Sequence, residues 1–219
     1  MRKAINTCVR LCAETFELAL PVVEVGSYYL PGYDWLCDLR PYFAGREYIG
    51  CDIRSGPGVD RIEDAQALSF ANGSVGTLLS FETLEHLPEP GRALTEAHRV
   101  LRDDGVMVLS VPFNYRLHGF PTDYWRFSAS GVHVLLRSFA DKIILAIGPR
   151  VKPAFIFGIA AKTATQGFTE NKLRFRARVE ETFGSKPSRI RGHASVLKER
   201  ARDLLGQISG RADLGVAFF

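Results

Sequence analysis

The residues of this 219-residue chain that could do chemistry gather in a few short stretches. Glu24-Val25-Gly26-Ser27 joins an acid to a glycine, which lets the backbone turn tightly and come close to a ligand. Asp52, followed by Ile53, closes an apolar run, and a carboxylate at that point can accept from both hydroxyls of a ribose. Asp64-Ala65 supplies an acid able to accept from an exocyclic amine and a backbone N–H able to bond a ring nitrogen. These sets describe a nucleoside pocket without a phosphate cradle, because the G-x-G-x-x-G spacing of a dinucleotide site is missing. Phe81-Glu82-Thr83-Leu84-Glu85-His86-Leu87 follows another apolar run and offers His86 as a base, or as a residue that closes the loop by a backbone bond. Residues 112–127 are crowded with aromatics. There Phe113, Tyr115, Tyr124 and Trp125 can wall an acceptor and Arg116 and Arg126 can hold an anion, while His118 or Asp123 can take a proton. Trp125 and Phe127 equally serve to pack this loop onto a sheet.

The elements that must position these residues follow from periodicity. Ile5, Val9, Cys12, Phe16 and Leu20 predict an amphipathic helix over 3–20, stopped by Pro21. Strands are expected at 22–26, 47–52, 59–63, 75–81 and 106–111, with helices at 35–43, from Pro88 to Leu101, and at 128–139. Gly105 is expected in a left-handed position that ends the third of these four helices, and Ser128 is expected to cap the fourth. Two strands, 142–147 and 154–161, then come nearly in succession, followed by helices at 170–183 and 189–208. Alternation of this kind builds an α/β, doubly wound, mostly parallel seven-stranded sheet with helices on both faces. The late strands supply an antiparallel edge. Ligands of such a sheet bind beyond the carboxyl ends of its strands, where the acid-bearing stretches lie.

Composition narrows the class. Hydrophobic residues make up 46% and charged residues 24%, which excludes a wholly disordered or coiled-coil chain. No apolar run approaches the roughly 20 residues needed to span a bilayer, and Glu14 and Glu17 interrupt any signal-peptide core, so a soluble cytoplasmic protein is expected. Cys8, Cys12, Cys37 and Cys51 form no C-x-x-C pair and have no His at zinc spacing, so reduced thiols and no metal are expected. Residues 150–219 carry 14 Lys and Arg against 6 Asp and Glu, whereas residues 1–149 carry 14 against 18. A basic tail on an acidic body fits an anionic substrate, a membrane surface or nucleic acid, or simply a solvated helix face. The chain divides into a body, residues 1–165, and a basic helical extension, residues 166–219, expected on or near the acceptor site.

The stretches together resemble the class I S-adenosylmethionine-dependent methyltransferases, over about residues 18–161. Glu24-Val25-Gly26 resembles their glycine-rich first motif, although Ser27 and Tyr28 stand where further glycines are usual. Asp52 resembles their ribose-binding acid and Asp64 their adenine-contacting acid. Leu84-Glu85-His86-Leu87, and Arg99-Val100-Leu101 with Gly105 after it, resemble the stretch after strand four and the following helix and turn in the small-molecule branch. The resemblance implies a Rossmann-like enzyme with S-adenosyl-L-methionine held by Glu24, Gly26, Ser27, Asp52, Ile53, Asp64, Ala65, Phe81 and Glu82. It implies methyl transfer to oxygen or nitrogen on a small-molecule, glycan or natural-product acceptor, phosphate- or carboxylate-bearing if the basic tail reaches it. His86, His118 and Tyr115 are the catalytic candidates. No nucleic-acid partner is expected, and a homodimer is compatible. A nicotinamide-dependent reductase shares Asp52 but not Asp64 or the L-E-H-L stretch, and a non-catalytic cofactor-binding or interaction module is the third alternative.

Overall fold

The computed structural model describes residues 3–119, 122–149, 151–184 and a last strand at 215–218. Its elements in chain order are α1 (Lys3–Thr15), β1 (Val22–Val25), α2 (Asp34–Cys37), β2 (Tyr48–Asp52), β3 (Arg61–Ile62), β4 (Val75–Phe81), α3 (Pro90–Val100), β5 (Leu101–Pro112), α4 (Ala129–Leu135), β6 (Asp141–Gly148), β7 (Phe155–Ala161), α5 (Gln166–Phe183) and β8 (Gly215–Phe218). Short 3₁₀ turns at Arg40–Phe43 and Leu84–His86 complete them. The strand order is β3-β2-β1-β4-β5-β7-β6-β8. Pairings from β3 to β5 are parallel, and those among β5, β7, β6 and β8 are antiparallel. The seven expected strands are present, and β8 adds an eighth beside β6. At the antiparallel end β7 lies between β5 and β6, and both β6 and β7 are buried on both faces, with Ile143 and Phe157 on one and Ile144 and Ile156 on the other.

Two apolar layers cover the sheet. Ile5, Cys8, Val9 and Cys12 of α1 pack with Phe168, Phe175 and Val179 of α5 on one face. Ala93, Leu94, Ala97 and Val100 of α3 pack with Val132 of α4 on the other. α1 stops at Thr15, short of the expected residue 20, yet Phe16 and Leu18 remain buried in extended chain. The expected 35–43 helix breaks in two at Pro41, which sits in the first turn of the 3₁₀ piece. The turn at Gly105 is also a correction. α3 ends at Val100, and Leu101, with ψ 140°, already runs as strand beside Val75, so the Asp103-Asp104-Gly105 stretch is an irregularity within β5. Ser128 caps α4 by accepting from Gly131 N–H at 3.1 Å, and Thr165 caps α5 by accepting from Phe168 N–H at 3.1 Å.

Of the expected basic extension, α5 is an integral layer of the sheet. Its Arg178 bonds Thr15 and pairs with Glu14 of α1, and its buried face carries Phe175 against Phe157. The helix expected at 189–208 lies outside the described residues. No helix among the described residues is long and apolar enough to cross a membrane.

Candidate active site at the carboxyl edge of the sheet

β1 and β4 are neighbours, and their connections leave toward opposite sides of the sheet, so a crevice opens beyond their carboxyl ends. Glu24, Ser27 and Asp52 all lie at this edge, buried to 6%, 4% and 7% exposure. Tyr48 donates its hydroxyl to Glu24 Oε2 at 2.5 Å. Burial pushes the Glu24 carboxyl up to about 7, against the downward pull of Tyr48 and Arg40. Gly26 has φ +90°, and a Cβ there would stand 2.0 Å from Thr83 Oγ1. Its glycine is therefore required by the protein itself, because the loop after β4 presses on the turn after β1.

Asp52 Oδ1 accepts from Arg54 N–H at 3.0 Å and from Arg54 Nε at 3.1 Å. The Arg54 guanidinium in turn lies 4.2 Å from the centre of the Tyr28 ring. Ile53 is exposed beside it. Asp64 accepts from Gln66 N–H at 2.8 Å, a local turn that leaves the acid half-buried at the mouth. Ala65 joins Val25, Leu68, Ser80 and Leu84 around a small cavity beneath that mouth. Phe81 is a core residue, stacked on Phe157 with centroids 6.2 Å apart, so only its backbone reaches the edge. Glu82 follows with φ +50°, and its N–H bonds the carbonyl of Ser110.

Residues that spacing alone does not single out hold these groups in place. Glu63, buried to 5% exposure, accepts from Ser69 N–H at 2.8 Å and pairs with Arg61 at 2.6 Å. Arg99 donates to the carbonyls of Leu68 and Phe70, at 2.7 and 3.0 Å, and pairs with Glu96, which accepts from Leu68 N–H. The Glu96-to-Leu101 stretch thus pins the loop that presents Asp64. Asp60 accepts from Gly50 N–H and from Arg40, and so fixes the turn beyond β2.

The loop after β5 docks on the Leu84–His86 turn. The N–H groups of Tyr124 and Trp125 both donate to the carbonyl of Glu85, at 2.8 and 3.3 Å, and Trp125 Nε1 donates to Leu87 at 2.9 Å. This brings three predicted residues together. His86 and His118 have ring centroids 4.9 Å apart, as do Tyr115 and His118. His86 Nδ1 lies 2.7 Å from the carbonyl of Thr122. Desolvation holds the His118 imidazole below its ordinary pKa, with nearby His86 adding to the shift and Asp123 opposing it.

Two expectations for this loop are corrected. Arg126 is not available to an anion, because it grips Asp123 at 2.5 and 2.8 Å and the carbonyls of Trp125, Arg116 and Tyr115 at 2.7, 2.9 and 3.1 Å. Asp123 is no base, because Arg126 holds its carboxyl far below the carboxylate range. Arg116 remains exposed. Phe127 packs in the core, while Tyr115, Tyr124 and Trp125 stay between 43% and 50% exposed, open to something outside. Glu85, beside His86, is fully buried at 0% exposure, and burial with nearby Glu82 pushes its carboxyl up to about 8.

Residues 40–109 match the family model described as a methyltransferase domain. Over that stretch the chain is similar to methyltransferase domains, and its fold is that of S-adenosylmethionine-dependent methyltransferases. The match spans Asp52, Asp64 and the Leu84–Leu87 turn but not the bulky loop after β1. Among solved structures, a methyltransferase from Thermotoga maritima, described as a possible histamine N-methyltransferase, superposes with a TM-score of 0.56 at 16% identity, over 74% of this chain and 90% of its own. The Burkholderia thailandensis 1,6-didemethyltoxoflavin N1-methyltransferase, bound to 1,6-didemethyltoxoflavin and S-adenosylhomocysteine, superposes with a TM-score of 0.55 at 20% identity, over 74% and 79%. No curated protein sequence matches the chain.

The edge of the sheet suits S-adenosylmethionine, the cofactor class of the enzymes whose fold it shares. Asp52 offers buried carboxylate beside an open mouth, and Ser27 Oγ is buried with no protein hydrogen-bond partner. The turn at Gly26 brings backbone to the same place without the anion nest a phosphate would need.

Proposed function

We propose that this methyltransferase acts on an oxygen or nitrogen of a small-molecule or glycan-linked acceptor, with phosphate- or carboxylate-bearing acceptors preferred. The observation that carries the reading is the docking of Tyr124 and Trp125 on the Leu84–His86 turn, with Tyr115, His86 and His118 side by side next to it. Exposed Arg116 supports the preference for an anion, as does the basic stretch beyond residue 184, which lies outside the described residues. The proposal includes a cytoplasmic location, where Cys8, Cys12 and Cys51 remain buried thiols.

In this reading Asp52 holds ribose hydroxyls, Asp64 with Ala65 meets the adenine edge, and Glu24, Gly26 and Ser27 lie toward the methionine end. Ile53 covers the adenine, and Phe81 and Glu82 contribute backbone from the tip of β4. When bound, the cofactor supplies an electrophilic methyl group on sulfur. Exposed Tyr115 and Trp125 bury the acceptor and exclude water, which strips a nucleophile of solvent before it reacts. The imidazoles orient the accepting atom, and orientation alone accounts for much of the acceleration in a displacement of this kind.

The test begins with thermal denaturation. S-adenosylhomocysteine at about 100 times its Kd adds roughly 2.7 kcal/mol, a rise of about 5–10 °C at this size, and NADH leaves Tm unchanged. A panel of hydroxyl and amine acceptors, with and without phosphate or carboxylate, is then screened for transfer of labelled methyl. Tyr115→Phe and Arg116→Ala lower transfer but keep S-adenosylhomocysteine affinity within about threefold, or roughly 0.7 kcal/mol. A shift with NADH alone overturns the cofactor reading, and full transfer by both variants overturns the acceptor reading.

A further inference from the structure

Glu85, His86 and His118 meet where the loop after β5 docks on the turn after β4. Each offers one ligand atom, and the three atoms lie within 4.8 Å of one another. Glu85 is the anomaly of the group. It is 0% exposed, and among the described residues neither carboxylate oxygen has a hydrogen-bond partner. A buried carboxyl normally keeps partners, because stripping it of water without replacement is costly. Arg126 acts on it only through space, and the ligand atoms of the two imidazoles lie beside it.

The imidazoles are oriented as ligands are. Among the described residues the His86 ring has one hydrogen-bond partner, at Nδ1, the carbonyl of Thr122 at 2.7 Å. A carbonyl can only accept, so Nδ1 carries the proton and Nε2 keeps its lone pair. His118 Nδ1 is buried and lies 3.3 Å from Asp123 Oδ2. Asp123 is itself held by Arg126 and by the His118 N–H at 2.7 Å. A carbonyl behind one histidine and a carboxylate behind the other is the outer-sphere pattern that fixes metal-binding imidazoles. Gly119 contributes to the fit, since a Cβ there would stand 3.0 Å from His86 Cε1.

We propose that Glu85, His86 and His118 form a divalent transition-metal site whose open positions take an oxygen of the acceptor. Two imidazoles and a carboxylate suit zinc, iron, cobalt or manganese. Nitrogen and oxygen ligands about 2.0–2.2 Å from such an ion stand roughly 3–3.6 Å apart at neighbouring positions, and the three atoms, all within 4.8 Å of one another, close on the ion as it binds. Three protein ligands leave coordination positions open, and the exposed Tyr115 ring lies beside His118. A hydroxyl bound there is polarised and gives up its proton to water, so neither histidine has to act as a base. The absence of zinc spacing among the cysteines does not bear on this site, because its ligands come from two segments 32 residues apart in sequence.

This proposal deepens the methyltransferase reading and rests on it only for the identity of the oxygen ligand. The full-length protein, stripped with a chelator, is titrated with Co²⁺ while the visible absorption is recorded, and Zn²⁺ is then used to displace it. The expected result is one saturable equivalent. It weakens at least tenfold in Glu85→Gln and in His118→Ala and is unchanged in His133→Ala, which removes an exposed histidine of α4. Both site variants must still show the S-adenosylhomocysteine thermal shift, which certifies their fold. No saturable Co²⁺ binding by the wild type, or binding within threefold of wild type in both site variants, overturns the metal site. Binding of Co²⁺ at these residues without any shift from S-adenosylhomocysteine upholds the site and overturns the methyltransferase reading instead.

Discussion

Replacing Arg126 by alanine removes the group that ties together both described parts of the loop after β5. Its guanidinium meets both carboxylate oxygens of Asp123 and the carbonyls of Trp125, Arg116 and Tyr115. The side chains of Asp123 and Arg126 are 4% and 23% exposed, so the pair is largely withdrawn from water. Removing one partner leaves the Asp123 charge buried with only the His118 N–H and imidazole nearby. Breaking a buried pair in this way costs about 3–5 kcal/mol. Partial exposure of Arg126 places the expected loss near the lower end, about 3 kcal/mol. For a domain of this size that is a fall in Tm of about 6–12 °C. Arg126→Lys recovers little, because a point-charge ammonium cannot grip two oxygens and three carbonyls at once. Adding Asp123→Asn to Arg126→Ala removes the orphaned charge and restores about half the loss.

The sign of the pH dependence follows from Asp123. Its folded pKa is depressed below the unfolded value near 3.8, so the contribution is complete above that value and fades as pH falls through the folded one. The wild-type advantage over Arg126→Ala is therefore constant from pH 6 to 8 and shrinks in strong acid. Urea denaturation at several pH values, with a double-mutant cycle, measures all of this. A loss under about 1 kcal/mol, or strict additivity of the two substitutions, would falsify the argument that Arg126 is a buried staple.

Further outcomes follow for the cofactor side. Asp52→Ala loses a charge-assisted bond of about 1.5–3 kcal/mol, so calorimetry should find S-adenosylhomocysteine affinity roughly 10- to 100-fold weaker with the fold retained. Glu24 has its pKa raised to about 7 by burial, so its ionisation on folding is disfavoured and its contribution to stability falls as pH rises from about 4.5 to 7. At about 1.4 kcal/mol per unit the change approaches 3 kcal/mol, and the ligand-free Glu24→Gln variant should gain Tm over wild type between pH 5 and pH 8. Equal differences at the two pH values would contradict it. Gly26→Ala must set a Cβ into Thr83 Oγ1 at φ +90°, which lowers stability by about 2 kcal/mol or more. Gly26→Ala with Thr83→Ser, which keeps the clashing oxygen, should recover little of it.

What the sequence by itself determined was everything carried by local periodicity. Apolar runs of strand length alternating with helical faces specify β1 to β7, because alternate residues of one strand cannot choose different faces independently. Asp52 and Asp64 were legible for the same reason, since an acid directly after such a run must emerge at the carboxyl edge. Only the tertiary structure decided which partners those groups meet. Arg116 and Arg126 read alike as residue types, yet one is exposed and the other is consumed by Asp123 and three carbonyls, because their surroundings come from the folded loop. The order of β6 and β7 was not written in their similar apolar patterns, and β8 was invisible until β6 offered a free edge. His86 and His118 are ordinary as single residues. They become a pair, with a stranded Glu85 behind them, only because the loop after β5 donates two N–H groups to the turn after β4. Strand periodicity is written into neighbouring residues, whereas the burial and partners of a charge depend on segments that meet only when the chain folds.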